Sequence, residues 1–140
     1  MVDQRLGYVI KRLQQLLRSR MDEKLAAVGV TTPQYATLSI LEEDQGLSNA
    51  ELARRCFLTP QTMHKIVAGL EAKELIERKS DPSHGRKINT LLTSEGKKLV
   101  EKAHEIVQNI EGEMTGDLTQ EDIEQTRKNL VRCIKPLENS

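Results

Sequence analysis

The sequence predicts a mainly α-helical chain with one small β-ribbon, an α+β fold. Three observations carry that expectation. Apolar residues recur with a helical period over residues 5–28 and again from Thr93 onward. Between those stretches, Ser48 and Thr59 each open a short helix with strong capping chemistry. The runs Leu75–Lys79 and Lys87–Leu92 then read as two short strands around a polar, turn-rich loop.

The first helix is amphipathic. Leu6, Val9, Ile10, Leu13, Leu16, Leu17, Met21 and Leu25 fall on one stripe, and Gly29 suits its stop. The stripe must bury against later helices of the same chain or against a second subunit. Thr32-Pro33 is read as the start of the next helix, with Tyr35, Leu38 and Leu41 on its apolar face and Asp44-Gln45-Gly46 ending it.

Ser48-Asn49-Ala50-Glu51 is a capping box, flanked by Leu47 and Leu52 as a hydrophobic staple. Thr59 then caps a second helix that Pro60 opens and that reaches about Ala72, with Leu58 and Met63 repeating the staple. Two helix starts this close force two helices to cross steeply, which makes a helix-turn-helix unit. Met63, Ile66, Val67 and Leu70 face inward, while Gln61, Thr62, His64, Lys65 and Ala68 face out. No acid precedes Glu71 on the second helix. Acids normally favour a helix N-terminus; their absence suits an end that must approach phosphate. Lys and Gln there can also read guanine and adenine edges in a major groove.

In the second strand Ile88, Thr90 and Leu92 alternate onto one face. The loop Ser80 to Arg86 is too long and polar for a tight hairpin, and its Arg-Lys end can reach a minor groove or phosphate. From Thr93 a long helix carries Leu99, Val100, Ala103, Ile106, Val107, Ile110 and Met114. Gly116 and Asp117 break it, and Thr119 caps a last helix with Ile123, Leu130, Ile134 and Leu137, where Pro136 predicts fraying near the end.

At 140 residues the chain suits one compact domain or a small domain with helical extensions. Its only aromatics are Tyr8, Tyr35 and Phe57, so the core is aliphatic and stacking platforms for single-stranded nucleic acid are lacking. Net charge is zero, yet residues 48–92 carry 8 basic and 5 acidic groups, whereas residues 93–140 carry 7 basic and 10 acidic. That asymmetry marks a local anion-binding face. Cys56 and Cys133 form no metal-spacing motif, and the start of the chain has no long apolar run, so a reducing cytoplasm without membrane insertion is expected.

The motifs Ser48 to Arg55, Thr59 to Arg78 with Leu70-Glu71 and Leu75-Ile76-Glu77-Arg78, and Asp81-Pro82, Gly85-Arg86, Leu92-Thr93 and Glu95-Gly96 together resemble the MarR family of transcriptional regulators. The resemblance covers nearly the whole chain. It implies a homodimer on a palindromic double-stranded DNA operator, with residues 1–31 and 96–140 as dimerisation helices and residues 32–95 as a winged helix-turn-helix module. Leu6, Val9, Leu13, Ile123, Leu130 and Ile134 would then line the dimer interface. The DNA contacts would come from Thr59, Gln61, Thr62, His64 and Lys65 on the recognition helix and from Ser83, His84, Arg86 and Lys87 on the wing. Such regulators usually repress, and small anionic or phenolic ligands, metals or thiol oxidation relieve them. Arg12, Leu16, Tyr35, Leu38 and His64 are the candidate effector liners. One departure concerns the wing: the family often has an acid two positions before the Arg, and here His84 stands there, unable to hold Arg86 by a bidentate pair.

Other readings have less behind them. Cys56 as a redox switch needs an exposed, electropositive setting; Arg54 and Arg55 favour one, and Phe57 and Leu58 do not. His64, His84 and His104 share no ligand spacing, so no metal or cofactor is expected, and His104 reads as a solvated cluster with Glu101 and Glu105. Nothing resembles a nucleophile elbow or phosphate loop, so no enzyme is expected. A winged helix used only for protein contacts predicts binding insensitive to salt.

Overall fold

The computed structural model describes residues 2–81, 83, 85 and 88–138. The chain forms two compact units, Met1–Val107 and Gln108–Ser140. In the first, α1 (Leu6–Leu25) runs into a 3-10 turn at Ala26–Val28, and Gly29 closes it at φ 79°, a left-handed conformation that costs glycine little.

Next, α2 (Thr32–Glu43) is capped by Thr31, one residue before the expected Thr32. The reason lies on α1. The Asp22 carboxylate accepts from the Thr32 amide (2.9 Å) and hydroxyl (2.6 Å), which holds Thr32 as the first residue inside the helix. Thr31 forms the reciprocal box with Gln34 instead. Burial pushes the Asp22 carboxyl up, but the Thr32 bonds and the Arg18 side chain outweigh it and leave the group below its ordinary value.

The helix-turn-helix follows as α3 (Asn49–Arg55) and α4 (Pro60–Ala72). The ribbon is antiparallel, β1 (Ile76–Ser80) against β2 (Ile88–Leu92), with Ile76 opposite Leu92 and Ser80 opposite Ile88. Leu75 stays outside the ribbon because its amide turns back onto α4 and donates to the Leu70 carbonyl (3.0 Å), although its own carbonyl accepts from the Thr93 amide (3.1 Å). A connection missing from the sequence reading ties the ribbon to α3. Gly46 donates to the Thr90 carbonyl and Thr90 donates to the Leu47 carbonyl, both at 3.0 Å, so the segment before α3 lies on β2 as a one-residue third strand.

Met63, Val67 and Leu70 of α4 are buried among Leu25, Leu38, Leu41, Leu52 and Val100. Truncating Met63 or any of these leucines to alanine would cost roughly 2–5 kcal/mol. The α1 stripe divides: Leu25 is buried and Met21 packs on the core, but Leu6, Val9, Ile10, Leu13 and Leu16 are exposed.

A long helix, α5 (Ser94–Met114), supplies Val100, Ala103 and Val107 to the core of the first unit and continues into the second. There α6 (Gln120–Glu138) starts from a reciprocal cap, in which Asp122 donates its amide to the Thr119 hydroxyl (3.0 Å) and accepts from the Thr119 amide (3.1 Å). The expected fraying at Pro136 does not occur, and the helix continues to Glu138. A proline in the last turns removes one amide donor where few backbone bonds remain to be lost. No α6 residue is buried, and Leu130, Val131, Ile134 and Leu137 stand exposed.

Candidate nucleic-acid interface

The start of α4 is set by its own sequence. Thr59 accepts from the Thr62 amide (3.1 Å) and donates its hydroxyl to the Thr62 hydroxyl (2.9 Å). Pro60 has no amide hydrogen, and Met63 donates to the Thr59 carbonyl (3.0 Å). Among the described residues this leaves the Gln61 amide as the open donor at an acid-free helix start. Gln61, Thr62, His64, Lys65 and Ala68 are exposed on one face, while Met63, Val67 and Leu70 anchor the other. Buried anchors on one side and a polar, unobstructed ridge on the other give a helix that can enter a groove about 12 Å wide.

Ahead of it, α3 begins at the predicted Ser48 box: the Glu51 amide donates to Ser48 (3.2 Å), and the Ser48 amide to Glu51 (3.1 Å). Leu47 and Leu52 are both buried, as the staple requires. Asn49, the first residue of α3, reaches α4: its Nδ2 lies 2.8 Å from His64 Nδ1. No local pattern in the sequence links the two positions, which only the packing of α3 on α4 brings together.

Electrostatics trims the basic module. Arg55 is spent on Asp44 (3.4 Å) and Glu43 (3.9 Å), Lys79 lies 3.5 Å from Glu77, and Lys73 donates to the Gly29 carbonyl. Arg54 and Lys65 are exposed without such pairing among the described residues. The Arg78 Nε is enclosed with no partner among them. On the wing, Ser83 donates its amide (3.0 Å) and hydroxyl (2.6 Å) to Asp81, which shapes the loop's first turn. His84, Arg86 and Lys87 lie outside the described residues, so the predicted wing contacts are placed only as far as Ser83.

The five candidate effector liners differ in exposure. Leu38 is shut in the core and His64 bonds Asn49, while Arg12 and Leu16 stand on the exposed face of α1. Tyr35, half-buried, bonds through its hydroxyl to His104 Nδ1 (2.7 Å). His104 Nε2 lies 2.8 Å from Glu42, and the Tyr35 ring meets the imidazole edge-on with centroids 5.4 Å apart. His104 is therefore no solvated cluster with Glu101 and Glu105. Tyr35 and Glu42 are seven positions apart on α2, two helical turns, and both face it.

Cys56, half-buried at the end of α3, has its sulfur 3.8 Å from the Thr37 hydroxyl. Burial pushes its thiol above the usual value, although Thr37 and the Arg55 charge pull the other way. Cys133 is exposed on α6. Among the described residues no group of three or more His, Cys, Asp or Glu is arranged to hold a metal, and no helix is long and apolar enough to cross a membrane.

This geometry agrees with known proteins. The MarR family model matches residues 28–87. The HTH-type transcriptional repressor Rv2887 of Mycobacterium tuberculosis is 33% identical over 117 residues, 84% of each chain. The crystal structure of that protein with salicylic acid superposes with a TM-score of 0.75 at 30% identity, covering 92% of this chain and 96% of the other. Its structure with DNA gives 0.77 at 28% identity, covering 93% and 98%. With a winged helix-turn-helix between long terminal helices and relatedness along most of its length, the chain belongs to the MarR family.

Proposed function

We propose that this chain is a cytoplasmic transcriptional repressor that binds a palindromic double-stranded DNA operator as a homodimer and releases it when a small anionic or phenolic molecule binds. The observation that carries the DNA reading is the α4 surface. Its start is acid-free, its outer face holds Gln61, Thr62, His64 and Lys65, and its inner face is locked into the core. The relative Rv2887, solved with DNA, supports the same use of this fold. Arg86 and Lys87, on the wing, are assigned the neighbouring groove or phosphates.

The apolar residues exposed on α1 and on α6 support the homodimer. Leu6, Val9 and Leu13 on one, and Leu130 and Ile134 on the other, have no cover in a single chain. Two copies would set two α4 helices in successive major grooves about one turn (~34 Å) apart. Rv2887 with salicylic acid supports a small-molecule effector. Arg12, Leu16 and Tyr35 keep accessible surface, and the effector is assigned to the parts of α1 and α2 that carry them.

A thiol switch at Cys56 is disfavoured by its burial, which lowers the thiolate fraction. Genome-fragment selection with the purified protein tests the proposal. It should return sites with two-fold symmetry and half-sites one turn apart; fragments without symmetry would overturn the dimeric operator. In sedimentation at micromolar concentration the chain should run as a dimer, and Leu13→Asp, which places a charge on the exposed α1 stripe, should run as a monomer.

A further inference from the structure

We infer that Asn49 is a positioning residue that fixes the tautomer of His64, so that the recognition helix presents a neutral Nε2–H donor to a base. The inference rests on the reading that α4 docks on DNA. An amide NH2 can only donate, and the Asn49 Nδ2 lies 2.8 Å from His64 Nδ1. That ring nitrogen must therefore offer a lone pair, which puts the single proton of the neutral imidazole on Nε2. The reverse amide orientation is the costlier one. The Asn49 Oδ1 is enclosed without a partner among the described residues, and turning the amide would enclose a two-donor NH2 in place of one acceptor.

Nε2 lies across the ring from Asn49, and His64 is exposed on the same face as Gln61 and Lys65. A neutral N–H donor matches guanine O6 or N7, thymine O4 and adenine N7, and mismatches cytosine, which offers only its amino group in the major groove. It neutralises no phosphate, so His64 adds base preference without adding to the salt dependence that Lys65 and the wing would supply. Asn49 thus affects DNA recognition without touching DNA. Its place at the first position of α3, next to the Ser48 cap, holds its backbone in register.

Two readouts test this. In long-range proton–nitrogen NMR of the DNA-free full chain, His64 (assigned by its loss in His64→Gln) should show a lone-pair shift at Nδ1 and a protonated shift at Nε2. Asn49→Asp, whose carboxylate accepts from Nδ1–H, should reverse the two shifts, and Asn49→Ala should mix them. A protonated Nδ1 in the wild type, or shifts unmoved by both substitutions, would overturn the inference. In competition over duplexes randomised base by base, His64→Gln should lose a preference against cytosine of roughly 2- to 10-fold at one position. Asn49→Asp should lose the same preference at the same position, the double variant no more than either, and the salt slope of His64→Gln should match wild type. Preferences unchanged in Asn49→Asp would sink the positioning role. If wild type binds no duplex at all, the DNA reading falls and with it the role at a base, while the NMR arm still decides who sets the tautomer.

Discussion

Gly96 is where one methyl group should do the most damage. It lies in the first turn of α5, and a Cβ built there would sit 2.1 Å from the Leu75 carbonyl oxygen and 3.3 Å from Leu92 Cδ2. An ordinary contact needs about 1 Å more, and the blocking atom is backbone, so α5 and the Leu75 segment must part. That same carbonyl accepts from the Thr93 amide at 3.1 Å, and an opening of that size breaks the bond. Overpacking costs about 1–3 kcal/mol and the sheltered carbonyl about another 1–3. The helical preference of Ala over Gly returns about 1. Gly96→Ala should therefore lose about 1–5 kcal/mol, which for a chain of this size lowers Tm by roughly 10 °C at the middle of that range. The control is on the same helix: at Gly112 a Cβ meets nothing within 4 Å, so Gly112→Ala should be neutral or gain up to about 1 kcal/mol. Thermal unfolding followed by circular dichroism measures both. If the two variants melt together, α5 does not pack on the Leu75 carbonyl closely enough to exclude a methyl group.

Three further outcomes follow from the same structure. Phe57, in the α3–α4 turn, holds φ 57° with 93% of its surface exposed, so strain is not offset by burial; Phe57→Gly should raise stability by about 0.5–1 kcal/mol in denaturant unfolding, and a loss would show that the ring has a packing role. Lys65→Ala should leave folding unchanged, since the side chain is exposed, weaken operator binding by about 1–3 kcal/mol and relax sequence preference, whereas a uniform loss with the salt slope reduced by about 1 would assign Lys65 to phosphate. Asp22 has a depressed carboxyl, so its contribution to stability is present above the unfolded value and lost as pH falls through the folded one; Asp22→Asn should destabilise at neutral pH and match wild type in strong acid, and a difference that persists there would point to lost packing instead.

The parts of this chain that were legible in its sequence are those fixed by short-range chemistry. Ser48 and Thr59 bond amides three residues ahead, and their side chains have few competing partners, so the helix starts could be read directly. Thr31 and not Thr32 caps α2 because a distant group, Asp22, anchors the Thr32 amide and hydroxyl and holds that residue inside the first turn. The same holds for Asn49 with His64 and for Tyr35 with His104. Fifteen and sixty-nine positions separate these pairs, and only the packing of α3 on α4 and of α2 on α5 brings them together. The Leu47–Thr90 bridge has no signature in the sequence because one residue carries no strand periodicity. Basic residues could be counted, but which were already paired could not. Arg55 reads like Arg54 in the sequence, yet only Arg55 is held by Asp44 and Glu43.

The central claim is that α4 and the wing hold duplex DNA largely through its phosphates while α4 reads its bases. Titrating the purified protein against its selected operator at 50 and 200 mM salt tests it most directly. With about four or more phosphates neutralised, affinity should fall at least roughly 100-fold across that range. An affinity that stays level would contradict the claim and leave a winged helix whose partner is not nucleic acid.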